Sequence, residues 1–368
     1  MISLIANNNF AYISLHAEQS YREFPLVNFV NKADDEKIDL GIFCNELKNS
    51  VIQNLINDYD YILMFCKKKG LDTLIIDCNY INSIQINQNS EMNKFLKEIL
   101  DNKIDIIVVN CTLNLVQNFQ GANKSNILDN NEDNMIIGFS NDNKEEIKVK
   151  INNIKKSNVS DVINQIREKA FEEIIQECCE DNIQKELCSS QVYTDKYIDI
   201  KKCIESIQCF PFMIYTLARK LIDSGFITEE LIRFRKLSLF CHTLNGSYIA
   251  SLLGYLLGID ILFYDHIGPK NKLYRTYLEN KIQKDINYIV VADVICLGSE
   301  LRSVRTLLEY EGAKFKVAAS IVNIATTTNV RIKRQVCSVI EISKDYNPFL
   351  YHVYTDLGVN EGGSCDEK

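Results

Sequence analysis

The residues of this chain best placed to do chemistry lie in one short stretch, YIVVADVICLGSEL, residues 288–301. An apolar run is closed by a single acid, Asp293; Gly298 then marks a turn, and Ser299 and Glu300 open a helical pattern. A strand, turn and helix in that order aim backbone N–H groups and the positive end of a helix dipole past the carboxyl end of a buried strand, where anions and phosphates are held. An acid closing such a strand is a candidate binding residue. The same residues also suit plainer roles: Gly298 and Ser299 as a turn and an N-cap, and Glu300 as an acid stabilised by the helix dipole.

The segments before and after the stretch predict the elements that would position it. Residues 237–242 read as a strand, 243–246 as a loop, 247–257 as a helix stopped by Gly258, and 260–265 as a second strand. A long polar loop leads to the central strand, and residues 315–322 add a strand after the helix. Successive strand and helix units of this length imply a parallel sheet with right-handed crossovers.

This arrangement resembles the type I phosphoribosyltransferases, whose PRPP-binding motif runs apolar residues, two acids, two variable residues, two small residues, glycine, any residue and threonine. Val290 and Val291 match the strand, Asp293 the second acid and Gly298 the glycine, with Ser299 after it. Ala292 stands at the first acid, Cys296 and Leu297 at the small positions, and Glu300 at the last threonine. The resemblance implies ribose hydroxyls held by the acids and a 5'-phosphate wrapped by the loop, with those contacts weakened here.

Element order extends the resemblance over about residues 207–341. It implies a pyrophosphate loop at Leu244, Asn245, Gly246 and Ser247, similar to the Leu-Lys-Gly loop of the hypoxanthine-guanine branch. Leu244–Asn245 takes the place of that family's strained cis peptide, and Asn245 that of its cation. A hood loop would follow, with Lys270 and Lys272 placed to neutralise pyrophosphate; solvated lysines in a polar loop are the plainer reading. His242 and His266 are lesser candidates. Mg²⁺ enters only as the companion of PRPP in an active enzyme; no other metal is implied.

The N-terminal half also alternates: strands at 2–5 and 11–15, a long helical pattern over 46–69 ended by Gly70, a buried strand at 73–77, a helix at 91–100 and a strand at 105–110. LDTLIIDCNYINSIQ followed by KFLKEILDNKIDIIVVNCT resembles the core of STAS domains, with Asp77 at the strand-end acid and Ile81 and Ile84 at buried turn positions. Gln85 and Ile86 occupy the usual Asp-Ser pair, so the resemblance implies an interaction or sensing domain without the phosphorylation switch. Residues 121–161 turn to Asn, Asp, Lys and Ser around two apolar runs, MIIGF and IKVKI, and read as a polar loop around a peripheral hairpin. Residues 162–180 form an amphipathic helix suited to packing on its own domain, to a domain link or to an oligomer contact, and 207–224 and 228–235 are two further helices.

With 368 residues, 46% hydrophobic, the chain is long enough for two cores. It shows no membrane-spanning run and no export signal, so a cytoplasmic protein is expected. The 13 cysteines form no CxxC pair and fall mostly in apolar segments, as reduced buried cysteines do. A formal charge of -8 gives no general attraction to nucleic acid or anionic membranes; the basic run at 331–334, RIKR, reads as a solvated face.

The expected fold is therefore α/β in two domains: a STAS-like domain over 1–120, a polar connector with a hairpin and helix over 121–206, and a parallel-sheet, Rossmann-like phosphoribosyltransferase-like domain over 207–368. Three functions fit: a regulatory or sensing protein that binds a PRPP- or nucleotide-type ligand with little or no transferase activity, an active transferase using PRPP and a nucleobase, or an interaction scaffold. A protein partner at the N-terminal domain and a homo-oligomer are both compatible with this reading.

Overall fold

Short apolar runs separated by helical segments pair into two main sheets whose central strands are parallel and buried. The computed structural model describes residues 2–22, 46–84, 89–120, 126–127, 135–141, 144–181, 196–206, 209–264, 282–295, 298–325 and 335–343. The N-terminal part runs β1 (Leu4–Ala6), β2 (Ala11–Ser14), α1 (Leu15–Arg22), β3 (Glu46–Leu47), α2 (Asn49–Asn57), α3 (Tyr59–Lys69), β4 (Thr73–Asp77), β5 (Ser83–Ile84), α4 (Asn89–Asp101), β6 (Asp105–Cys111), α5 (Leu113–Gln120), β7 (Asn126–Ile127) and β8 (Met135–Phe139). Its sheet has the order β1-β2-β4-β6-β8-β7, with β2, β4 and β6 parallel.

Two local readings are corrected here. The helical pattern over 46–69 is broken at Asp58 into α2 and α3, and Gly70 ends it in the left-handed conformation expected of a helix stop (φ 66°). MIIGF is a strand, β8, antiparallel to β6, whereas IKVKI lies within α6 (Lys144–Lys156). Its alternation suggested a strand, but Ile147, Ile151 and Ile154, the residues it buries, recur at helical spacing.

The chain continues through α7 (Val159–Glu177), β9 (Cys179–Asp181), β10 (Lys196–Ile198), α8 (Ile200–Glu205), α9 (Phe210–Asp223) and α10 (Glu229–Arg233). The second sheet then forms from β11 (Leu237–Cys241), α11 (Leu244–Leu257), β12 (Asp260–Phe263), β13 (Asn287–Ile295), α12 (Ser299–Tyr310), β14 (Lys314–Ala325) and β15 (Val336–Ser343). All its strand pairs are parallel, in the order β12-β11-β13-β14-β15. The periodicity reading above assigns no strand to β15.

Helix α9 explains how the two sheets sit together. It buries Phe210, Phe212, Met213, Ile214, Leu217 and Ala218, so its apolar surface runs round the whole circumference and must be covered on every side. It packs on α1 on one flank and on α11, β14 and β15 on the other. A single apolar cluster accordingly takes in Tyr12 and Ile75 of the first sheet and Leu239 and Ile289 of the second. Among the described residues, no helix is long and apolar enough to cross a membrane.

Candidate functional site

The order of the second sheet contains a reversal of direction. From β11 the chain crosses outward to β12, and from β13 it crosses the other way to β14, so the direction reverses between β11 and β13. The helices that follow these two strands leave on opposite faces: α11 contributes Ile249 and Leu253 to the large shared cluster, and α12 contributes Val304 and Leu308 to a separate one. Ligands of open parallel sheets lie outside the carboxyl ends of the strands at such a reversal.

Around this point the structure gathers residues from two distant stretches. Asn245 Nδ2, in the first turn of α11, donates to Asp293 Oδ2 of β13 at 2.8 Å. Glu300, in the first turn of α12, lies 3.3 Å from His242 Nε2 at the end of β11. The hydrogen bond from His242 holds the Glu300 carboxyl below its ordinary pKa, against the effect of partial burial.

Each element takes its position for a local reason. Thr243 is the N-cap of α11; its Oγ1 accepts from the Gly246 amide at 3.0 Å, the bond a capping threonine makes. Gly246 allows the helix to sit directly on β13, since a Cβ there would stand 2.9 Å from the Val291 carbonyl oxygen. At the start of α12, Gly298 has φ 66°, the left-handed turn that lets the chain leave β13 and enter the helix, and its carbonyl accepts from the Arg302 amide at 3.0 Å.

The expected pyrophosphate loop is therefore displaced into regular structure. Leu244, Asn245, Gly246 and Ser247 form the first turn of α11 instead of a loop, because Thr243 caps a helix that starts three residues earlier than the apolar pattern suggests. Leu244 is exposed, and the Ser247 hydroxyl turns back to the Thr243 carbonyl at 2.7 Å. Gly298 lies at the turn before α12 and Glu300 in its first turn; Cys296, Leu297, Lys270, Lys272 and His266 lie outside the described residues. Mg²⁺ calls for several oxygen ligands in octahedral geometry. Here Asp293 is half-buried with Oδ2 engaged by Asn245, and no group of three potential metal ligands occurs among the described residues.

No protein-family model matches the chain, and no curated protein matches it. Solved structures similar to it include the orotate phosphoribosyltransferase from Aeropyrum pernix (13% identity, TM-score 0.35, covering 46% of this chain and 93% of that one). Also similar are the adenine phosphoribosyltransferases from Thermoanaerobacter pseudethanolicus (14% identity, TM-score 0.33, 46% of this chain and 99% of that one) and Leishmania donovani (15% identity, TM-score 0.33, 51% and 90%).

A second polar constellation escaped the sequence reading apart from Asp77. The Tyr12 hydroxyl donates to Asp77 Oδ2 at 2.7 Å and accepts from Arg167 Nη2 at 3.0 Å. The Asn79 amide and Asn110 Nδ2 both donate to Asp77 Oδ1, at 2.9 and 2.8 Å. Beside them, His16 Nδ1 lies 2.6 Å from the Tyr215 hydroxyl, and Arg219 Nη2 donates to the Tyr80 hydroxyl at 2.6 Å. Burial, helped by Arg219, lowers the His16 pKa to about 3, and burial raises that of Tyr12. These residues come from segments up to about 200 positions apart, and only the arginines among apolar helix residues, Arg167 in α7 and Arg219 in α9, hinted at them.

Proposed function

We propose that the chain is a phosphoribosyltransferase-like binding protein, taking a PRPP- or nucleotide-type ligand at the reversal between β11 and β13 in a regulatory or sensing role, with reduced or absent transferase activity. The observation that carries this reading is Glu300. It stands in the first turn of α12, beside the Gly298 turn, with its carboxylate held by His242 at 3.3 Å. An acid fixed where the motif would seat a phosphate opposes that phosphate by on the order of 4 kcal/mol per charge pair at about 4 Å and a surface-like dielectric. Asp293 supports ligand binding, yet part of its capacity is spent on Asn245. Ala292 offers no charge to a ribose hydroxyl, a loss of about 1.5–3 kcal/mol relative to an acid. In the same reading the STAS-like N-terminal half serves as the sensing or partner-binding module.

Calorimetry with PRPP and Mg²⁺, followed by pyrophosphate-release assays across nucleobases, tests this reading. Weak binding with negligible turnover is expected, and the double variant A292D/E300T should bind PRPP more tightly by about 3 kcal/mol or more. Turnover at an ordinary enzymatic rate, on the order of 1–10³ per second, would instead establish an active transferase with Mg²⁺ carried by the diphosphate. No binding by either protein would leave the scaffold.

A further inference from the structure

A cavity of about 490 Å³ opens at the amino ends of β2 and β4 in the first sheet, within the range of about 300–1,000 Å³ usual for small-molecule sites. Its described lining comes from the turn between β1 and β2, the turn between α3 and β4, and helices α6 and α7. Lys150, Asn153, Ile154 and Ser157 face it together because they recur three and four positions apart, as Val162 and Gln165 do in α7. Lys150 holds α6 in place there: its Nζ donates to Thr73 Oγ1 at 2.8 Å and to Asp72 Oδ1 at 3.1 Å, at the start of β4. Gly70, at φ 66°, contributes backbone alone, and a Cβ there would meet open space.

The floor and the rim of this cavity differ in chemistry. Leu71 and Ile154 are buried, and Phe10 and Val162 are partly buried against the same core, so the floor is apolar. Asn8, Asn9, Asn153, Ser157 and Gln165 are exposed on the rim, and each side chain can both donate and accept. Asn7 Oδ1 accepts from the Asn9 and Phe10 amides at 2.9 and 2.8 Å, which fixes the turn and leaves the Nδ2 protons for another partner. Lys150 and Asp72 are the ionisable residues of the described lining, and they pair with each other. Asp105 and Glu146 also lie 3.5 and 3.4 Å from the Lys150 ammonium, so three carboxylates surround one cation and an anion gains nothing by entering.

An apolar floor with neutral donor and acceptor groups above it suits a ligand that has an apolar face and hydroxyls around its edge. A planar base carries its polar atoms in one plane along its edges, whereas the carboxamides here come from three separate segments, the 7–9 turn, α6 and α7. We propose that this cavity binds a neutral mono- or disaccharide, with a C–H face of the sugar on Phe10 and Val162 and its hydroxyls bonded to Asn153, Ser157, Gln165 and the asparagine turn. Binding is weak, because each hydroxyl gives up water for one carboxamide. The site belongs to the first sheet alone and is independent of the ligand proposed for the second.

Saturation-transfer-difference NMR on the full chain tests the site, with glucose, galactose, maltose and lactose as probes and adenosine and glucose 6-phosphate as competitors. At least one neutral sugar is expected to bind with half-saturation at about 1 mM or below, and glucose 6-phosphate to bind no tighter than glucose. Asn153→Ala and Gln165→Ala should each weaken that sugar about two- to tenfold, the worth of one neutral hydrogen bond. Ser157→Trp, which fills the mouth, should abolish its binding. All three positions are exposed, so the variants should melt close to the wild-type temperature, which confirms that each is folded. Binding of none of the four sugars, a sugar signal that survives Ser157→Trp, or displacement of the sugar by adenosine or glucose 6-phosphate at lower concentration each overturns the saccharide site. None of these outcomes bears on the ligand proposed for the second sheet.

Discussion

Asp77 and Asp293 invite comparison, because each lies on a central parallel strand near its carboxyl end and each was singled out by its place after an apolar run. Asp77 is 2% exposed and accepts from the Tyr12 hydroxyl, the Asn79 amide and Asn110, with Arg167 at 4.0 Å. Asp293 is half-buried and takes one side-chain bond from Asn245. The first acid is saturated by its own chain and holds α7 against the first sheet. The second keeps capacity for something else. Position in a strand does not separate an architectural acid from a binding one; the supply of partners does.

The largest test of this contrast is to delete each acid. Asp77→Ala leaves the Tyr12 hydroxyl without its acceptor and Arg167 without its ion-pair partner, and a loss of about 3–5 kcal/mol is expected in denaturant unfolding. Asp293→Ala should cost about 1 kcal/mol or less, the net worth of one hydrogen bond. Equal losses would end the distinction.

Acid titration sharpens it next. His16 has a folded-state pKa near 3, below its ordinary 6.5, owing first to burial and then to Arg219; Tyr215, Tyr80 and Ser20 also face the ring. The unfolded chain takes up this proton below about pH 6.5 and the folded one does not. Stability is therefore lost as pH falls from 6.5 towards 3, by up to about 1.4 kcal/mol per pH unit from this group. His16→Phe should flatten that part of the stability profile, whatever its effect at neutral pH; a profile parallel to wild type would show that His16 is not held neutral.

Gly246→Ala forces a methyl against Thr243 Oγ1 and the Val291 carbonyl, at 2.7 and 2.9 Å, and should destabilise by about 1–3 kcal/mol while moving Asn245 away from Asp293. Thermal unfolding measures the first effect and weakened nucleotide binding the second. Glu300→Gln should give the smallest change in stability, within about 0.5 kcal/mol for so exposed a side chain. Because His242 depresses the Glu300 pKa, the contribution this variant removes is present above the ordinary carboxylate range and vanishes as pH falls through the lowered value. A larger effect at neutral pH would make Glu300 part of the architecture, like Asp77.

Local order was legible where neighbours in the chain decide it. The apolar runs of β4, β6, β11 and β13 and the helix stops at Gly70 and Gly258, both left-handed, follow from residue type and spacing within about ten positions. The Gly298 turn and the place of Asp293 on β13 belong to the same class. The start of α11 was misplaced because Thr243 capping outweighed the loop character of Asn245 and Gly246.

Residue pattern thus implies an α/β chain with a strand, turn and helix able to face a ligand, since hydrophobic periodicity and glycine conformation act over a few residues. Tertiary structure alone decided which polar groups have partners. His242 meets Glu300 across 58 positions, Asn245 meets Asp293 across 48, and His16 meets Tyr215 across 199. Such pairs depend on strand order, on register and on α9 lying between two sheets, and these are set by how apolar faces far apart in the chain cover one another. A one-residue shift of β14 against β13 would turn Ser320 away from the face it shares with Ala292.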